Sequence, residues 1–209
     1  MGYARAGFEV VGVDVKPQPR YPFEFHQADA MTYPLDGFDV IHASPPCQAY
    51  SISRNAHRAV HPDLLPATIE RLRAAAVPWI VENVPGAPIA GALTLCGTEF
   101  ALRAFDPATQ SWLALKRHRL FESNMLLMGA GGCYCHGQRI GGVYGGGSTD
   151  HVHAREVRHG GYTPHMTVRE QLMGIDWMTR DELSQAIPPA YTQHIGEQVL
   201  ALIGSTLWR

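Results

Sequence analysis

Three short apolar runs in this chain each stop at a residue able to do chemistry, and this pattern constrains the fold more than any other feature. Glu9-Val10-Val11-Gly12-Val13-Asp14-Val15 is β-branched and closes around an acid. Phe38-Asp39-Val40-Ile41-His42-Ala43 is stopped by Ser44-Pro45-Pro46, just ahead of Cys47. Trp79-Ile80-Val81-Glu82-Asn83-Val84 is stopped by Pro85-Gly86. Such runs, bounded by proline and glycine, read as buried strands. Arg119 to Glu122 reads as a further short strand. Helical patterns lie between and after them. Asp63 to Ala76 carries apolar Leu64, Leu65, Ile69 and Leu72 with Asp63 as its cap, and Val168 to Met173 and Tyr191 to Leu207 follow. Met1 to Gly7 reads as the last turns of a helix closed by a glycine. Strands alternating with helices predict an α/β fold with a doubly wound, mostly parallel sheet. Such sheets place ligand sites at the carboxyl ends of their strands.

The chain has 209 residues, 45% of them hydrophobic, which suits one α/β domain with a small insert. No 18-residue apolar run is present, so no membrane span is expected, and the first residues lack a secretory pattern. Four unevenly spaced cysteines do not make a disulfide framework, so the expected compartment is a reducing cytoplasm. A net charge of −2 excludes a strongly basic coat protein. Charge is uneven, however. Between Lys116 and His165 stand six Lys/Arg against three acids, together with six of the eleven histidines. Gly129 to Gly161 is rich in glycine and reads as a loop-rich insert whose positive charge favours contact with a polyanion. The expected organisation is an α/β part at 1–123, a short insert at 124–165, and helices completing the α/β domain at 166–209.

Three features at strand ends carry chemistry. Cys47 follows a stiff Pro-Pro turn, which suits a nucleophile, although a lone cysteine is more often inert. Glu82 is an awkward core residue and has a plausible acid or hydrogen-bonding role; alone it also reads as a strand-end charge facing water. Arg117 and Arg119 flank His118 at a strand start, where alternation would point both the same way, unless the edge is simply solvated.

Together these residues resemble the cytosine-C5 DNA methyltransferase family, in a compact, phage-type branch. Pro46-Cys47-Gln48 is similar to the family's nucleophile motif, Glu82-Asn83-Val84 to its glutamate motif, and Arg117-x-Arg119 to its paired arginines. Arg169-Glu170-x-x-x-x-Gly174 resembles the next block and Ile195-Gly196 the closing one. The order matches over nearly the whole chain. The resemblance implies the class I S-adenosylmethionine-dependent methyltransferase sheet and double-stranded DNA as partner, with no obligate protein partner and no metal.

It also implies roles. Cys47 adds to C6 of a flipped cytosine and makes C5 nucleophilic, Glu82 bonds N3, and Asn83 holds that strand end. Arg119, or Arg117, bonds the base O2 and orients Glu82. Asp14 takes the ribose hydroxyls of S-adenosylmethionine, Val15 packs on its adenine, Asp29 in Asp29-Ala30 accepts from the adenine amino group, and Pro45 lines the floor near the donor methyl. Gln48, Tyr50 and Ser51 begin a loop closing over the flipped nucleotide, with Arg54, His57 and Arg58 meeting phosphates. Arg139, Arg155 and Arg158 of the insert contact DNA. A non-catalytic DNA-binding relative is the alternative. An enzyme acting on a free pyrimidine nucleotide has little use for the basic insert.

The chain departs from the family in four places. Leu115 stands where a glutamine usually opens the arginine motif, and Glu197 where an asparagine follows Ile195-Gly196. The insert is very short. The first residues match the family's first helix only, so its first strand and glycine loop are expected to be missing. This predicts weak cofactor binding and a gap, or a borrowed strand, between the strands holding Val13 and Ile41. Cys133-x-Cys135-His136, with His151 and His153, is a candidate zinc motif, but its one-residue spacing favours incidental cysteines in a DNA-facing loop. Cys96 reads as a small core residue.

Overall fold

The computed structural model describes residues 1–50, 62–144 and 162–204. In chain order the elements are α1 (Gly2–Ala6), β1 (Val11–Asp14), β2 (Glu24–Gln27), β3 (Ile41–Ala43), α2 (Leu65–Ala74), β4 (Trp79–Asn83), β5 (Leu93–Leu95), β6 (Arg103–Asp106), β7 (Ser111–Ala114), β8 (Arg119–Ser123), α3 (Met166–Met173), α4 (Arg180–Gln185) and α5 (Pro189–Ile203). The fold is α/β, and its sheets are small and mixed: β1-β2, β3-β4-β8-β5 and β6-β7. β1 and β2 are parallel, as are β3 and β4, whereas β8 runs antiparallel along the other side of β4. The strands holding Val13 and Ile41 therefore belong to different sheets, and the break expected between them is present among the described residues. No helix there is long and apolar enough to cross a membrane.

The chain divides into two units. The first comprises Met1–Glu9, Leu95–Arg117 and Ala130–Glu197; the second comprises Val10–Thr94, His118–Gly129 and Gln198–Arg209. These boundaries differ from the divisions after 123 and 165 expected from sequence.

In the first unit the β6-β7 hairpin packs on α3. Ala104, Leu113 and Leu115 meet Val168, Leu172, Met173 and Leu183 in one buried cluster. The hairpin inverts the usual polarity near its tip. Asp106 is buried and accepts from the Ala108 N–H (3.1 Å) and the Thr109 hydroxyl (2.8 Å). Phe105 and Trp112 face outward, with the Arg103 guanidinium 5.2 Å from the Trp112 ring. α3 stops at Gly174, whose φ of 66° suits a glycine cap. α4 opens on a capping box: Thr179 N–H donates to the Glu182 carboxylate (2.7 Å) and the Thr179 hydroxyl accepts from the Glu182 N–H (3.4 Å). α1 lies directly on α5. A Cβ at Gly2 would collide with Thr192 and Pro189, and one at Gly196 would sit 2.8 Å from Ala6 Cβ, so these glycines let the helices touch.

In the second unit all five residues of β4 are buried. Leu65 and Leu72 of α2 cover Trp79 and Val81. Asn124 finishes the sheet: its side chain accepts from Trp79 N–H (2.9 Å) and donates to the Val77 carbonyl (3.0 Å).

Candidate active site

β4 gathers the site. Its parallel pairing with β3 sets Ala43 beside Val81, so the Ser44-Pro45-Pro46-Cys47 turn leaves β3 at the end of the sheet where Glu82 and Asn83 lie. Asn83 makes the connection. Its Nδ2 donates to the Pro45 carbonyl at 3.1 Å, and its Oδ1 accepts from Val84 N–H at 2.9 Å. Both ends of the amide are thus used, one on the turn and one on the backbone leaving β4. The Tyr50 N–H donates to the Cys47 carbonyl at 3.0 Å, which closes a turn that keeps the Cys47 thiol half-buried.

The antiparallel register with β8 pairs Glu82 with Phe121 and Asn83 with Leu120. Arg119 stands two residues before Phe121, on the same face as Glu82 and diagonal to it. Its Nε lies 2.9 Å from Glu82 Oε1, and both side chains are largely shielded from water. Arg119 Nη1 also donates to the His118 carbonyl at 2.9 Å. A guanidinium has more donors than these two bonds use. Glu82 is therefore a carboxylate held at a strand end by a fixed cation. Deleting one partner of such a pair strands the other charge and costs about 3 kcal/mol.

His42 lies on β3, paired with Ile80 of β4. Its ring stands edge-on to Phe121 with centroids 6.4 Å apart, and its Nε2 is 3.1 Å from the Ser44 hydroxyl. Burial pulls its pKa down to about 4, so the imidazole is neutral at pH 7.

Arg117 corrects an expectation. It precedes β8, so strand alternation does not govern it, and it does not share the role of Arg119. Its buried guanidinium donates from Nε to the Ala186 carbonyl (3.0 Å), from Nη1 to Val143 (3.2 Å) and from Nη2 to Ser184 (2.7 Å). Ser184 and Ala186 lie at the carboxyl end of α4, where backbone carbonyls lack helical partners and a cation is favoured. The Tyr191 hydroxyl donates to the Arg117 carbonyl at 2.7 Å. Arg117 is a structural staple of the first unit. Leu115, at the position where the family has a glutamine, is fully buried in that unit's core.

The expected cofactor residues stand at the carboxyl ends of β1 and β2, which are parallel and in register. Asp14 accepts from the Lys16 N–H at 2.8 Å and from the Gln18 amide at 3.3 Å, one bond to each carboxylate oxygen. A lone pair remains on each oxygen, enough to take a pair of hydroxyls. Val15 beside it is 59% exposed, an uncovered β-branched surface next to an acid. Asp29 takes the Met31 N–H on Oδ1 at 2.8 Å, and both Asp29 and Ala30 are exposed. These groups fit the nucleoside end of S-adenosylmethionine: a diol acceptor, an apolar surface and a second carboxylate on adjoining strands.

Among the expected DNA contacts, Gln48 and Arg139 are exposed. Ser51, Arg54, Arg155 and Arg158 lie outside the described residues, as do His57, Arg58, His151 and His153.

One grouping was not foreseen. The thiols of Cys96, Cys133 and Cys135, all in the first unit, lie within 4.8 Å of one another. Burial pushes the Cys135 thiol up to about 12, with the Cys133 hydrogen bond and the Cys96 sulfur adding to the shift and Lys116 opposing it. His136, next in the chain, is exposed and does not belong to this group. Cys96 was missed because nothing in sequence ties it to a pair of cysteines so far downstream. No protein-family model matches the chain, and none of the curated proteins matches it.

Proposed function

We propose that the chain is a DNA cytosine-C5 methyltransferase that uses S-adenosylmethionine, on a doubly wound sheet of the class I methyltransferase type and in a prokaryotic cytoplasm. The observation that carries this reading is local to β4. A half-buried cysteine on a Pro-Pro turn is tied by Asn83 to the strand end where Glu82 is ion-paired with Arg119. A nucleophile, a carboxyl group and a guanidinium are what addition across a pyrimidine 5,6 double bond requires.

In this reading the Cys47 thiolate adds to C6 of a cytosine flipped from the duplex. Electron density moves to C5 and onto the N3–O2 side of the ring. Glu82, protonated as the base enters, gives a hydrogen bond to N3, and free N–H groups of Arg119 meet O2. Asn83 holds the Cys47 turn at a fixed place relative to Glu82, which is where positioning contributes to rate. S-adenosylmethionine supplies the methyl group when bound. Asp14, Val15 and Asp29 would hold its nucleoside end, and Pro45 would lie near the donor methyl. Water then takes the C5 proton, the 5,6 double bond re-forms, and the Cys47 thiolate is expelled. Gln48 and Arg139, with Ser51, Arg54, Arg155 and Arg158, would contact double-stranded DNA.

The test is methyl transfer from labelled S-adenosylmethionine to duplex DNA, with nucleosides separated after digestion. The expected product is 5-methyldeoxycytidine, absent with Cys47→Ser. Label on adenine, on cytosine N4, or on no base would refute the reading.

A further inference from the structure

The first unit holds a cluster of sulfur atoms that the methyl-transfer chemistry does not use. Cys96 is fully buried at the start of a tight 3₁₀ turn over Gly97–Phe100. Cys133 and Cys135 stand on the glycine-rich segment, just after Gly131 and Gly132, whose φ values of 125° and 99° bend the backbone as other residues rarely do. The Cys133 and Cys135 sulfurs are 3.2 Å apart, and all three sulfurs fall within 4.8 Å of one another. Zinc–sulfur bonds of about 2.3 Å in a tetrahedron put the sulfurs ~3.8 Å apart. Three sulfurs within 4.8 Å of one another are close enough to reach a single ion with small side-chain adjustments.

Hydrogen-bond donors surround these sulfurs. The Thr98 hydroxyl is 3.2 Å from Cys96 Sγ and 4.0 Å from Cys133 Sγ. The Tyr134 N–H donates to Thr98 Oγ1 at 3.0 Å, which leaves the hydroxyl proton for sulfur. The Cys135 N–H points at Cys133 Sγ at 3.5 Å. Hydrogen-bond donors arranged around ligand sulfurs orient them and stabilise their charge.

The geometry points to a structural zinc site formed by the thiols of Cys96, Cys133 and Cys135, all within the first unit. Binding expels one proton from each thiol, so the loaded site of three thiolates and one zinc ion carries one net negative charge. Its work is evident in the segment it holds. Gly129-Ala130-Gly131-Gly132-Cys133-Tyr134-Cys135-His136-Gly137 has almost nothing apolar to bury, and Tyr134 is exposed. Metal ligation fastens such a segment where a hydrophobic core cannot.

The experiment uses the full chain, purified reduced and under argon, with no DNA and no methyl donor present, so its outcome is separate from that of the methyltransferase reading. Elemental analysis is expected to find about one zinc per chain. Cobalt(II) added to the stripped protein is expected to give the intense visible bands of a tetrahedral site together with sulfur-to-cobalt charge transfer. Cys96→Ser and the more exposed Cys133→Ser each abolish both signals, and Thr98→Val weakens binding roughly tenfold. Cys47→Ser binds like the parent chain. Weak octahedral cobalt absorption, zinc content unchanged by Cys133→Ser, or a Cys133–Cys135 disulfide in the anaerobic protein would overturn the assignment.

Discussion

Arg117 and Arg119 are separated by one residue, and their guanidiniums meet opposite kinds of partner. Arg117 lies buried among three backbone carbonyls at the end of α4, whereas Arg119 meets the Glu82 carboxylate at the end of β4. The first arrangement consumes the cation in closing a helix. The second leaves an ion pair with spare donors at the strand end that Asn83 ties to the turn carrying Cys47. The same residue type thus makes architecture in one unit and a candidate reaction centre in the other. Partner geometry, and not sequence proximity, separates the two.

The largest expected effect breaks the first arrangement. Arg117→Ala leaves three carbonyls without a donor and should cost about 4 kcal/mol, read by chemical denaturation. Arg117→Lys should recover only part, since an ammonium cannot reach three diverging carbonyls as a planar guanidinium does. Arg119→Ala should cost about 3 kcal/mol and also remove methyl transfer. If Arg117→Lys lowered methyl transfer as far as Arg119→Lys at equal folded fraction, the division of labour would fail.

Glu82→Gln should sharpen the contrast by reducing methyl transfer about a hundredfold or more, with a smaller loss of stability than Arg117→Ala. Asn83→Ala should cost about 1–2 kcal/mol by freeing the Pro45 carbonyl and the Val84 N–H. It should also lower turnover more than DNA binding, because the Cys47 turn loses its tie to β4.

A smaller effect concerns acid. His42 has a depressed pKa in the folded chain, so the unfolded chain binds its proton first as pH falls. Its contribution is fully present above the ordinary histidine value and is lost as pH drops from about 6.5 toward about 4. The loss is on the order of 2 kcal/mol. Denaturation at a series of pH values should show this slope, and His42→Gln should flatten it.

The strand-end residues were legible because β-branched runs stopped by Pro-Pro or Pro-Gly are read directly from sequence. Glu82 on β4, Cys47 after β3 and Arg119 at the start of β8 needed only those boundaries. α1, with its left-handed Gly7, was legible for the same reason. Other elements were not seen. β2 reads Glu-Phe-His-Gln with prolines ahead of it and has no apolar alternation. The β6-β7 hairpin hides its period because Asp106 is buried and Phe105 exposed. α4 left a readable trace, the Thr179-x-x-Glu182 box, that was passed over. The fate of Arg117 could not be read, since its partners are carbonyls far along the chain. The thiol cluster was half legible: Cys133 and Cys135 stood out, and Cys96 did not.

In the proposed reaction Cys47, on the turn that Asn83 ties to the end of β4, is a covalent nucleophile toward cytosine. The most direct measurement incubates the chain with S-adenosylmethionine and duplex DNA in which 5-fluorocytosine replaces cytosine. The fluorine at C5 blocks release after methylation, and the product is analysed by denaturing electrophoresis and peptide mass mapping. The account predicts a stable protein–DNA adduct whose cross-linked peptide contains Cys47, and none with Cys47→Ser. An adduct on Cys96, Cys133 or Cys135, or methylation of ordinary DNA with no adduct on the fluorinated duplex, would contradict it.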